Sequence, residues 1–232
     1  MRLRSTERRE ETVAPLHPAD GSERSAMQHA EANRVDRLIV ALHDPEDVLA
    51  VQARDIQSTL TALRTAEGQA PSSIAVMAVG AVDETAILTA NIAASAALSG
   101  LRTLLVDMSR PEFIQHWLLG NPAESASIDE EDHLYPFVRP TAVPNLSLLA
   151  APAALDQARA APFRERLAVM ATHFDLCLVD ASHVEDLALA ASSGEVAILA
   201  VSRDATMTAD LKSTINKLSM LGTPLAGTVM LV

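Results

Sequence analysis

From about residue 72 onward, short apolar runs alternate with stretches of helical periodicity, and this alternation limits the fold more than any other feature. Six runs read as strands: Ile74–Val79, Thr103–Val106, Leu146–Leu149, Leu176–Val179, Val196–Val201 and Thr228–Leu231. Most are apolar on both faces, the pattern of parallel strands covered by helices on each side. Helical patterns separate them at about 84–99, 111–119, 163–173, 184–192 and 205–221. Gly100 and Gly222 stand just past two of these, where a left-handed residue closes a helix at little cost. The expectation is an α/β domain over 72–232, with a doubly wound, mainly parallel sheet and helices on both faces.

Two segments precede it. Between about 46 and 65, Val48, Val51, Ile56, Leu60 and Leu63 lie along one stripe, and Gly68 and Pro71 end the pattern. Residues 34–71 therefore read as a helical segment packing on the core. Residues 1–33 are rich in Arg, Glu, Ser and Pro and have no periodicity, so they read as a disordered tail. Arg2, Arg4, Arg8 and Arg9 would suit a partner-binding arm, but Glu7, Glu10 and Glu11 dilute their charge.

Charge narrows the function. Lys and Arg number 18 against 30 Asp and Glu, a net charge of −12. Phosphate-backbone binding needs clustered cations, and single-strand binding needs aromatic platforms, yet aromatics are 3% of the chain. No nucleic-acid partner is expected. The one cysteine, Cys177, lies in an apolar run and reads as core. The seven histidines show no HxxxH or HxxH spacing, so no metal site is expected. No apolar run reaches the roughly 20 residues of a membrane span, and no apolar segment follows the charged N-terminus. The expected compartment is the cytoplasm.

Chemistry in such a sheet belongs beyond the carboxyl ends of the strands. The first strand end reads AVGAVDETA, residues 78–86, where a phosphate-binding loop would sit. Such a loop needs glycines for close backbone approach, a Lys for charge and a hydroxyl for Mg²⁺. Gly80 is present and the Lys is not. Asp107 closes the second strand and Asp180 the fourth, each where a Mg²⁺-positioning carboxylate would stand. Asp83 can N-cap the following helix, and Asp83 and Glu84 suit its positive end. Trp117, with Phe113, Ile114 and Leu118, reads as core, and His183 as a residue near solvent at a helix start. The acidic run at 129–132 reads as a solvated loop.

In this order the segments resemble the cytoplasmic kinase module of bacterial tyrosine kinases, which accompany capsule and exopolysaccharide export and sit among the MinD/ParA-like P-loop ATPases. The resemblance spans about 47–232. It is carried by SSIAVMAVGAVDETAILTANIAASAALSGLRTLLVDMSRPEF, by VPNLSLLAAP, by HFDLCLVDAS and by the terminal VAILAVSRDATMTADLKSTINKLSMLGTPLAGTVMLV. Against that family, Thr85 stands at the Lys position and Ala86 at the magnesium hydroxyl. Asp107 and Asp180 match the family's acidic positions, but Ser109 replaces its second Asp. These residues hold no tyrosine cluster like the family's tyrosine-rich tail, Tyr135 being their only tyrosine, and of its upstream Glu-x-x-Arg-x-x-Arg motif only Arg54 matches.

The resemblance implies a remnant nucleotide site at Gly80, Thr85, Asp107 and Asp180, with no catalytic residue and no bound cofactor. It also implies a partner, a membrane polysaccharide co-polymerase or chain-length protein that would hold the chain at the inner face of the membrane, with a homo-oligomer allowed. The expected role is a pseudokinase-like regulator or scaffold of exopolysaccharide, capsule or holdfast-type polymerisation and export. The alternatives are an atypical Mg-ATP-dependent ATPase or tyrosine kinase, drawing a cation from Arg110, Arg203 or another subunit, or a ParA/MinD-like positioning ATPase.

Overall fold

The computed structural model describes residues 35–109, 113–121, 133–152, 155–203 and 206–231. The tail at 1–33, Arg110 and the acidic run at 129–132 lie outside these. Two helices, α1 (Val40–His43) and α2 (Val48–Ala62), lead into β1 (Ile74–Val79) and α3 (Val82–Leu98). Next come β2 (Thr103–Asp107), α4 (Ile114–Leu118), β3 (Arg139–Pro140) and β4 (Leu146–Ala150). The chain continues through α5 (Gln157–Ala171), β5 (Leu176–Asp180), α6 (Leu187–Ser192), β6 (Val196–Ser202), α7 (Thr208–Leu221) and β7 (Leu225–Leu231). The sheet runs β3-β4-β2-β5-β1-β6-β7. All neighbours are parallel except the short edge strand β3, which pairs antiparallel with β4.

The apolar runs separate into two core layers because successive strand residues face opposite ways. Ile74, Val76, Leu105, Leu178 and Ile198 pack toward α3 and the N-terminal helices. Ala75, Met77, Val106, Val179 and Leu199 pack toward α5 and α7, against Phe163, Leu167 and Leu218. Cys177 is buried in the second layer, and burial pushes its thiol up to about 12, so it packs as an apolar residue.

Helix α3 is sandwiched between sheet and N-terminal helices, and its Ala-rich run from Ala90 to Ala97 is buried. Small side chains let both layers approach it closely. Asn91, fully buried on this helix, accepts from the Ala41 N–H at 2.9 Å. It donates to the carbonyls of Leu38 at 2.8 Å and Ile87 at 2.9 Å. Helix α1 has no side-chain cap of its own, so Asn91 supplies one from across the core.

Several expectations need correction. The stripe expected on α2 is displaced: Val48 is 67% exposed and Val51 39%, while Ala50, Ala53 and Leu60 face inward. There are seven strands among the described residues, not six, because β3 is too short to leave a sequence signal. Helix α5 starts at Gln157, not near 163: Asp156 caps it by accepting from the Arg159 N–H at 3.0 Å, and Pro162 lies inside it. Strand β7 starts at Leu225 rather than Thr228, joined to β6 through a register shift at Ala197/Ile198. Trp117 is 66% exposed and does not join the core, because the five residues of α4 turn Gln115, His116 and Leu118 inward instead.

Candidate functional site

The residues expected to form a remnant nucleotide site, Gly80, Thr85, Asp107 and Asp180, lie at or just beyond the carboxyl ends of β1, β2 and β5. Strand β1 runs to Val79 and α3 starts at Val82, so two residues, Gly80 and Ala81, make the whole connection. Gly80 sits at φ 103°, a left-handed conformation that glycine adopts without strain. Ala81 is the N-cap and offers no side-chain bond. Asp83 is therefore not the cap expected of it. It lies in the first turn with Glu84, where both carboxylates complement the helix dipole. Its Oδ1 is 3.1 Å from His183 Nε2, and His183 Nδ1 is 3.0 Å from the Ser182 hydroxyl. This clasp joins the start of α3 to the loop after β5.

Thr85 is fully buried, and its hydroxyl donates back to the Ala81 carbonyl at 2.6 Å. Ala86 beside it is also fully buried.

Asp107 and Asp180 are register partners at the ends of the adjacent strands β2 and β5, and both are fully buried. Buried carboxylates require partners, and each has them. Asp107 Oδ1 accepts from the Ser109 N–H at 3.0 Å and the Ser109 hydroxyl at 2.5 Å. Its Oδ2 accepts from the His116 N–H at 3.1 Å and lies 2.9 Å from His116 Nδ1. With its proton on Nδ1, the His116 ring donates to this oxygen. Asp180 Oδ1 accepts from the Ser182 N–H at 3.0 Å, and its Oδ2 from Gln115 Nε2 at 2.6 Å. Burial pushes the Asp180 carboxyl above the ordinary carboxylate range; hydrogen bonds from Ser182 and Gln115 oppose the rise, and the charge of Asp107 adds to it.

Gln115 links the parts. The same Nε2 also donates to the Ala86 carbonyl at 2.9 Å, while the buried Oε1 has no partner among the described residues. Short helix α4 thus sets His116 against Asp107 and places Gln115 between Asp180 and the first turns of α3. Neither residue was anticipated. Their only sequence signal is a polar pair inside the apolar FIQHWLL, soon after Asp107. Among the described residues no cluster of three or more His, Cys, Asp or Glu side chains is placed to hold a metal ion.

Beside the site opens a groove of about 710 Å³, walled by Leu38, Val48, Leu49 and Ile87, with Glu84 and Arg203 also lining it. Arg54 lies outside it and donates to the Pro45 carbonyl at 2.6 Å. No helix among the described residues is long and apolar enough to cross a membrane.

Set against known proteins, the chain matches no family model and no curated sequence. Its structure does match solved ones. The kinase domain of the Escherichia coli tyrosine kinase Etk superposes with a TM-score of 0.69 at 18% identity, over 83% of this chain and 78% of that one. The BceF tyrosine kinase domain gives 0.66 at 20% identity, over 90% and 86%. The cell-division ATPase MinD of Pyrococcus furiosus gives 0.52 at 19% identity, over 68% and 70%. With its seven-stranded, mainly parallel sheet, the chain has the fold of bacterial tyrosine kinase domains, and over a shorter span that of the MinD-type ATPases.

Proposed function

We propose that this chain is a non-catalytic relative of the bacterial tyrosine kinases of capsule and exopolysaccharide export. It acts as a regulator or scaffold of polysaccharide polymerisation and export, held at the inner face of the membrane by a co-polymerase or chain-length protein.

One observation carries the reading: the two-residue connection between β1 and α3. A phosphate cradle of the form G-x-x-x-x-G-K-[ST] needs a run of loop N–H groups turned toward the ligand. Here strand passes into helix almost at once. The side chains agree with this. The first turn presents Asp83 and Glu84 where anionic phosphate would rest. Thr85 has no charge and turns its hydroxyl back onto Ala81. Both strand-end acids already hold hydrogen bonds from within the chain. These residues do not suit Mg-ATP.

Two measurements test this. Calorimetric titration of the full chain with Mg-ATP and Mg-ADP is expected to give no heat at about millimolar nucleotide. Binding about a thousandfold tighter would overturn the non-catalytic reading. It would direct attention to Arg203, on the groove beside Glu84, as the substitute cation. Affinity capture from solubilised membranes of the native host is expected to recover a co-polymerase. Recovery of none, in a host that encodes one, removes the scaffold role.

A further inference from the structure

At the opposite end of the sheet, where the strands begin, a second concavity of about 510 Å³ lies between the starts of β2 and β4, the turn after β3 and the end of α5. We propose that it binds a neutral sugar ring. This inference is independent of the nucleotide and partner readings above.

Its chemistry is mixed in a specific way. Tyr135, 67% exposed, stands on a 3-10 turn, Tyr135–Phe137. Its ring meets that of His173 edge to face, with centroids 6.2 Å apart. Phe174 and Val143 extend the apolar floor. Around it are polar groups with capacity to spare. The Tyr135 phenol and the Ser147 hydroxyl have no hydrogen-bond partner among the described residues. Arg102 donates from Nη2 to Asp175 Oδ1 at 2.7 Å and from Nε to Oδ2 at 3.2 Å, which leaves its Nη1 donors unspent.

Charge then selects the ligand class. The cationic side chain is already neutralised by Asp175, so an anion gains little here. Among the described residues no carboxylate lines the concavity, so a cation finds no partner in its lining. A wholly apolar ligand would strip water from Arg102, Ser147 and Tyr135 and return no hydrogen bond. A pyranose ring answers each requirement. Its C–H face covers the aromatic ring, and its hydroxyls both donate and accept toward the phenol, the serine and the guanidinium. The concavity is open, so binding is expected to be weak and readily reversible.

The test is saturation-transfer NMR on the full chain with the methyl glycosides of glucose, galactose, mannose and N-acetylglucosamine, and with inorganic phosphate as the anionic probe. At least one glycoside is expected to saturate with a dissociation constant on the order of millimolar. Tyr135→Ala is expected to weaken it by about tenfold, as loss of an aromatic contact does. Tyr135→Phe keeps the ring and most of the affinity, and Trp117→Ala, an exposed side chain that does not line this concavity, leaves it unchanged. Because Tyr135 is exposed, each variant is expected to fold, which the thermal transition verifies. Three results overturn the assignment: no saturable signal with any glycoside, equal binding by Tyr135→Ala, or displacement of the glycoside by phosphate.

Discussion

Asp180 shows how far its surroundings set a residue's behaviour. It is fully buried at a strand end, and burial raises its carboxyl above the ordinary range of about 4. The folded state therefore binds this proton more tightly than the unfolded state. Stability from this group is full below the unfolded value and is lost as pH rises through the folded one. Asp180→Asn removes that titration. The asparagine Oδ1 still accepts from the Ser182 N–H, and a turn of the Gln115 amide lets Nδ2 donate to Oε1 in exchange for the Gln115 bond to the Ala86 carbonyl. The variant is expected to melt higher than the parent near pH 7, with the gap closing toward about pH 4. Melting curves across that range check this, and a gap that widens on acidification would show that the buried acid is stabilising when charged. Asp107 and Asp180 were legible in the sequence because each is the lone charge closing an apolar run. Their partners were not. Gln115 reaches Asp180 across 65 residues of chain, and no periodicity in a helix of five residues tells which side faces in.

At the scale of elements, the sequence disclosed strands better than junctions. Runs apolar on both faces specify parallel strands directly, since only a sheet covered on both sides buries them. Strand β3 escaped because two residues carry no pattern, and the start of α5 because Pro162 reads as a boundary while Asp156 does the capping. The length of the β1–α3 connection was equally hidden, since AVGAVDETA reads as well as a loop. Its consequence can be measured. Thr85→Lys with Ala86→Thr restores the expected side chains without lengthening the connection. The double variant is expected to gain no heat with Mg-ATP; clear binding would show that charge, not backbone, had closed the site. A second junction is tighter still. Gly194, between α6 and β6, would place a Cβ 2.6 Å from the Ala75 backbone nitrogen and 2.9 Å from Ala75 Cβ. Both contacts lie in β1, which cannot yield without disturbing the centre of the sheet. Gly194→Ala is expected to cost about 1–3 kcal/mol by urea unfolding. A loss of a few tenths would mean that the α6–β6 turn shifts freely.

The whole molecule is joined by what crosses its layers. The N-terminal helices contact the sheet domain mainly through α3, whose alanines allow close approach and whose one buried amide side chain supplies the hydrogen bonds. Helix–helix packing of small residues gives area without directionality, whereas Asn91 fixes where α1 sits by satisfying its Ala41 N–H. Asn91→Ala leaves that buried donor unpartnered, opens a small void and removes the bond to Leu38. The expected cost is about 2–4 kcal/mol, and its distribution matters more than its size. If α1 and α2 form a unit that opens ahead of the sheet, the loss appears locally. Amide exchange over residues 40–62 then accelerates by about a hundredfold, while β1 and β5 exchange as before. If the two layers unfold only together, all of these amides accelerate alike. We expect the first result. The sheet keeps its second core layer, with Phe163 and Leu167 buried behind it, whatever happens in front of α3. The N-terminal helices have no second layer to fall back on. A uniform acceleration would instead mean that α3 transmits the defect through Ile92 and Leu88 into the strands, making the buried asparagine a keystone of the whole fold rather than a staple for its outer helices.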